Sequence, residues 1–142
     1  MILGLDYGDK RIGVAISGFE LTALPLKTII KKDEFTIKPA VAEIKKIIIE
    51  RNICKIVLGY PINMNGTKSS QTLKIEDFKE RLHRNFKTLD IVLHDETLTS
   101  FEAEEILLSK YKYIKKEDVD MVAATLMLQD YLNSKSKEND GK

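Results

Sequence analysis

Cysteine is nearly absent from this sequence. Cys54 has no partner in the chain, which excludes a disulfide framework and a cysteine-bound zinc site. Histidine is almost as scarce. His83 and His94 are the only two, and no metal-binding spacing joins them, so zinc would lack nitrogen ligands. Apolar runs long enough to span a bilayer are missing, as is a cationic leader ahead of an apolar stretch. We therefore expect a cytoplasmic protein with no membrane partner. An excess of one charge is missing too. Lys and Arg number 23 and Asp and Glu 22, leaving a net charge of +1, so bulk charge does not announce a nucleic-acid partner and any such binding must be local.

What remains fits a globular chain. Its 142 residues, 43% hydrophobic and 32% charged, match the usual size and balance of one soluble domain. We expect that domain over residues 1–134, with residues 135–142 a flexible polar tail. Cys54 opens an apolar run and reads as a small buried hydrophobe.

Two β-like runs, Ile2 to Tyr7 and Ile12 to Ser17, flank a polar turn and read as a hairpin. Alternation sends Leu3, Leu5 and Tyr7 to one face and Ile2, Gly4, Asp6 and Gly8 to the other. Leu24–Ile30 is a third strand, which Pro25 places towards an edge. Ile37, Val41, Ile44 and Ile48 then recur at helical spacing, with Pro39 acceptable in the first turn. Cys54–Tyr60 is a nearly continuous apolar run, as in a strand buried on both faces of a parallel sheet. A loop follows, turning at Asn65-Gly66, before a helix with Ile75, Phe78, Leu82 and Phe86 inside. Leu89–His94 is the fifth strand. Thr99-Ser-Phe-Glu102 forms a capping box for a helix through about Lys110, and the last helix, about Glu117 to Leu132, places Val119, Val122, Ala123 and Leu126 inside.

This order predicts an α/β fold: a mixed five-stranded sheet, three antiparallel strands and then two parallel ones, flanked by helices. Right-handed crossovers set strand four beside strand one and strand five beyond it. Ligands of such sheets bind off the carboxyl ends of the strands. Asp6, the 60–71 loop and the His94-Asp95-Glu96 turn would meet there.

Three acids stand out: Asp6 ending strand one, Glu96 just after strand five, and Asp120 early in the last helix. A few carboxylates on rigid elements are what two-metal phosphodiester hydrolysis needs, and hard oxygen ligands suit Mg²⁺ or Mn²⁺. Each has a simpler alternative. Asp6 can cap the turn, Asp95 competes for the role of Glu96, and Asp120 favours the positive end of its helix. His94 shares a strand face with Glu96, where it could assist a water or serve as a satisfied structural histidine. Phosphate contacts could come from Lys10 and Arg11 on the hairpin turn, from Asn63, Asn65 and Thr67 on the loop after strand four, and from Lys115 and Lys116 before Asp120. Turn formation and solubility explain the same residues. The pairs Lys31–Lys32 and Lys45–Lys46 read as solvated surface.

Four segments carry a resemblance: Gly4-Leu-Asp-Tyr-Gly-Asp-Lys-Arg-Ile-Gly-Val-Ala15; Gly59-Tyr-Pro-Ile-Asn-Met-Asn-Gly-Thr67 with Gln71; Asp95-Glu-Thr-Leu-Thr-Ser-Phe-Glu-Ala103; and Asp120-Met-Val-Ala-Ala-Thr-Leu-Met-Leu-Gln-Asp-Tyr-Leu132. In order and across nearly the whole chain, they resemble the signature blocks of the YqgF/RuvX family. The resemblance implies a ribonuclease-H-like fold and a magnesium-dependent nuclease of the Holliday-junction-resolvase superfamily, maturing the 5′ end of pre-16S ribosomal RNA in the bacterial cytoplasm. It sets Asp6, Glu96 and Asp120 on the three acidic positions of that fold. Two departures occur: Thr97 stands where the family often has Arg, and Ser69-Ser70 where it tends to have Gly-Pro.

The expected partner is nucleic acid, pre-rRNA ahead of branched DNA. A Holliday junction resolvase is the alternative and would need a homodimer to act on two strands. Two other classes compete: a non-catalytic nucleic-acid or protein-binding module of the same fold, and an ATPase of the sugar-kinase and actin type, for which the chain lacks a second lobe.

Overall fold

The computed structural model describes residues 1–18, 21–33, 37–61, 70–95, 105 and 116–140. Their elements in chain order are β1 (Ile2–Tyr7), β2 (Arg11–Ser17), β3 (Ala23–Ile30), α1 (Lys38–Arg51), β4 (Lys55–Tyr60), α2 (Ser70–Asn85), β5 (Asp90–Asp95) and α3 (Lys116–Asp140). The expected helix over 99–110 lies outside the described residues apart from Glu105, which is helical.

The strands form one sheet in the order β3-β2-β1-β4-β5. β1 and β2 pair antiparallel with Leu5 opposite Val14 and Asp6 opposite Gly13, and β3 continues the antiparallel part as an edge strand. β4 pairs parallel with β1, and β5 parallel with β4. The carboxyl ends of β1, β4 and β5 therefore lie along one rim. This is the mixed sheet the sequence predicts, with strands four and five on the expected side of strand one.

Alternation along β1 divides the molecule into layers. Leu3, Leu5 and Tyr7 join Ile12, Val14 and the fully buried Ile56 and Leu58 in a core closed by α1 through Ile44 and by α2 through Ile75 and Leu82. Tyr7 stacks on Phe78 of α2 with ring centroids 4.2 Å apart. The opposite face carries small side chains, Ala15 and the glycines at 4 and 13, and α3 lies on it through Ala124, Met127, Leu128 and Tyr131. Val57 is buried on that side while its neighbours fill the other, which accounts for the unbroken apolar run of β4.

Two local expectations are corrected, and α3 runs on through residue 135 as far as Asp140. Ser134-Lys-Ser-Lys-Glu-Asn-Asp140 holds no Pro or Gly, so nothing in it stops a helix already nucleated by packing. The inner face of α3 is Ala124, Met127, Leu128 and Tyr131 together with Ala123, and not Val119, Val122 and Leu126. Apolar residues occupy so much of 119–128 that spacing alone does not select a stripe. Cys54 is exposed, with its Sγ donating to the Met1 carbonyl at 3.4 Å. Ile53 takes the buried place and the strand begins one residue later.

Tyr131 also holds the start of β4. Lys55 Nζ donates to its hydroxyl at 3.1 Å, and Asp90 is 3.7 Å from the same ammonium. The bond to Tyr131, with help from Asp90, raises the Lys55 pKa above its ordinary 10.5 against the opposing effect of burial. A raised value in the folded state contributes stability that is complete below the ordinary value and is lost as pH climbs through the folded one. Tyr131→Phe should therefore flatten the alkaline fall in melting temperature above about pH 10.5, measured against wild type.

Candidate active site at the carboxyl rim of the sheet

Asp6 is the penultimate residue of β1 and belongs to the α3 face, since Leu5 and Tyr7 belong to the other. Its partner across the ladder is Gly13. The backbone of Asp120, early in α3, passes directly over that glycine: a Cβ at position 13 would collide with the Asp120 carbonyl and lie 3.0 Å from the Met121 amide nitrogen. Paired residues of neighbouring antiparallel strands are about 4.5–5.5 Å apart. Asp6 and the start of α3 are thus drawn to one spot because position 13 has no side chain.

Arg11 completes this arrangement. Two positions before Gly13 on the same strand face, its Nε donates to Asp120 Oδ2 at 2.6 Å, with both side chains about a quarter exposed. The ion pair neutralises one of two neighbouring acids that would otherwise repel each other. The Arg11 side chain, which its sequence position offers to phosphate, is thus engaged by a carboxylate.

Other bonds fix the rim. Gln71 Nε2 donates to the carbonyl of Tyr7, the residue after Asp6, at 3.0 Å, and Lys74 reaches Asp9 on the hairpin turn at 3.0 Å. The Gly8 amide donates to the Arg11 carbonyl at 2.9 Å and closes that turn. Gln71 stood in one of the four sequence blocks without a role. Here it ties α2 to the end of the strand that bears Asp6.

Lys10 is exposed on the turn, and Lys116 is the first residue of α3. Glu96, Asn63, Asn65, Thr67 and Lys115 lie outside the described residues. Asp95, the alternative to Glu96, ends β5 opposite Tyr60. Tyr60 packs against the α1/α2 core, so Asp95 lies on the face away from Asp6 and Asp120. His94 is a satisfied histidine, bonded through Nε2 to Asp130 at 2.7 Å and set edge-on to Tyr131.

Among the described residues no three His, Cys, Asp or Glu side chains gather to hold a metal ion. Two of the three expected ligands fall within them. Asp6, opposite Gly13, and Asp120, whose backbone lies over Gly13, offer hard carboxylate oxygens, and the guanidinium on Asp120 shows that this carboxylate already takes a cation. That donor chemistry fits Mg²⁺ or Mn²⁺. Among the described residues no helix is long and apolar enough to cross a membrane.

A protein of Carboxydothermus hydrogenoformans named as a candidate pre-16S rRNA nuclease is 42% identical over 139 residues, covering 96% of this chain and 98% of its own. One of Ruminiclostridium cellulolyticum with the same name is 43% identical over 135 residues, covering 93% of each. In overall shape the chain is similar to Thermus thermophilus RuvC solved with a Holliday junction substrate, at a TM-score of 0.61 and 13% identity over 96% of this chain and 95% of that one. The fold is thus ribonuclease-H-like, of the RuvC kind. Residues 1–134 match the family described as RuvX, Holliday junction resolvase, and with relatives above 40% identity over nearly its full length the chain belongs to that family.

Proposed function

We propose that this protein is a metal-dependent endonuclease that hydrolyses phosphodiester bonds and processes the 5′ end of pre-16S rRNA in the cytoplasm, using residues 1–134 as a single domain. The observation that carries the reading is the convergence of Asp6 and Asp120 over Gly13 at the carboxyl rim. The names of the relatives support rRNA as the substrate.

In this reading Asp6, Glu96 and Asp120 hold Mg²⁺ or Mn²⁺. When bound, such ions activate a water and stabilise the leaving oxygen. The protein's own part is placement. The β1–β2 ladder fixes Asp6, Gly13 lets Asp120 come down beside it, and Gln71 pins the strand end. Arg11 keeps Asp120 in place by its ion pair. Lys10, Lys115 and Lys116, with Asn63, Asn65 and Thr67, offer cations, amides and a hydroxyl to the phosphate backbone.

Holliday junction resolution is the second reading, favoured by the likeness to RuvC and by the family description. It requires a homodimer. One experiment separates the two: purified protein with Mg²⁺ is incubated with a pre-16S precursor and, separately, with a four-way junction, and the cuts are mapped. Cleavage of the precursor at its 5′ side, abolished by EDTA, is the expected result. Symmetric cuts in the junction alone would favour the second reading, and no metal-dependent cut in either would leave a binding module.

A further inference from the structure

We propose that the β2–β3 end of the sheet holds a binding site for the phosphodiester backbone of a single strand, built from Lys10, Arg11, Lys31 and Lys32. Lys10–Arg11 and Lys31–Lys32 are distant in sequence. The antiparallel ladder joins them: Arg11 pairs with Ile30, and the Lys31 amide donates to the Lys10 carbonyl at 2.8 Å. Together with Asp9, Ile30 and Asp33 they line a cleft of about 540 Å³. Its volume falls in the usual range of ligand pockets, about 300–1,000 Å³.

Charge and shape both point to a polyanion with an apolar part. Four cations and two acids line the cleft, with Asp9 paired to Lys74 of α2 and Arg11 paired to Asp120. Lys10 and Lys32 are exposed and open to phosphate. Lys31 also lines the cleft but is only 5% exposed, with its Nζ 4.1 Å from the centroid of the Tyr7 ring. Ile30 is 64% exposed among these cations and gives a sugar or base an apolar surface. Arg11, which also lines the cleft, bonds Asp120 through its guanidinium. A strand lying on the lysines is thereby led towards Asp6 and Asp120. That last step rests on the nuclease reading above, whereas binding in the cleft does not.

The test is fluorescence anisotropy in EDTA, with a labelled twelve-residue oligouridylate in one arm and the matching oligothymidylate in the other. Lys10→Gln/Lys32→Gln should weaken binding about tenfold or more and reduce the salt dependence, at about 0.7 per lost contact, by about 1.4. The arm with the larger loss names the sugar. Lys45→Gln/Lys46→Gln, the same charge change on the exposed face of α1, should alter binding less than about twofold. Lys10→Arg/Lys32→Arg should retain it, which separates loss of charge from damage to the turn. Cleavage of the pre-16S precursor, run in parallel with Mg²⁺, reads the nuclease proposal separately: for the Gln pair KM should rise with kcat kept. The site is refuted if wild type binds neither oligonucleotide, if the Gln pair binds like wild type, or if the α1 pair loses as much.

Discussion

Asp6→Asn and Asp120→Asn should each lower the rate of metal-dependent phosphodiester cleavage by about a thousandfold or more, with the fold intact. Each change removes one cation-binding charge and keeps the side-chain shape. Charge stabilisation by a bound metal ion is worth several kcal/mol, and every 1.36 kcal/mol is tenfold in rate. Asp120→Asn also weakens the bond from Arg11, and a pair exposed to solvent by about a quarter contributes about 1 kcal/mol or less, or a few degrees of melting temperature. Single-turnover cleavage of the precursor, with circular dichroism as the check on folding, decides the matter. Glu96→Gln belongs to the same series and should behave like Asp6→Asn.

Gly13→Ala should strongly destabilise the protein. The added methyl would meet the Asp120 carbonyl and the Met121 amide, which are backbone atoms of a helix anchored by Ala124, Met127 and Leu128. Overpacking against atoms that cannot rotate away costs on the order of 3 kcal/mol, a fall of roughly 10 °C in melting temperature for a chain of this size. Gly4→Ala provides the contrast. Its methyl would meet Leu128 side-chain atoms, the nearest at 3.0 Å, and such atoms can give way, so about 1 kcal/mol is expected. The chemistry is affected as well. Whatever lifts α3 from β2 carries Asp120 away from Asp6, and misplacement by about 1 Å can cost about a hundredfold in rate. Equal melting temperatures for Gly13→Ala and wild type would show that the helix does not depend on the bare backbone at position 13.

Much of this arrangement was legible in the sequence because its causes are local. Two-residue alternation in β1 assigned Leu3 and Leu5 to one face and Asp6 to the other, and crossover handedness put β4 beside β1. The continuous apolar character of Ile56, Val57 and Leu58 marked a strand with both faces covered. What was not legible depends on pairings between distant segments. Nothing near Arg11 in sequence indicates that its guanidinium meets Asp120, a contact created by the crossing of α3 over Gly13. Lys31–Lys32 read as ordinary surface because only the β2–β3 register brings them beside Lys10. The inner stripe of α3 was ambiguous for the opposite reason, since too many of its positions are apolar. Alternation was also enough to turn Asp95 away from Asp6, once the structure showed which side Tyr60 packs on.

The most direct test is the binding of Mn²⁺ followed by electron paramagnetic resonance, without any nucleic acid present. Wild type should take up the ion and suppress the free-ion signal, with Asp6→Asn, Glu96→Gln and Asp120→Asn each weakening the affinity at least tenfold. Mn²⁺ binding of wild-type strength in all three variants would mean that these carboxylates do not form a common cation site.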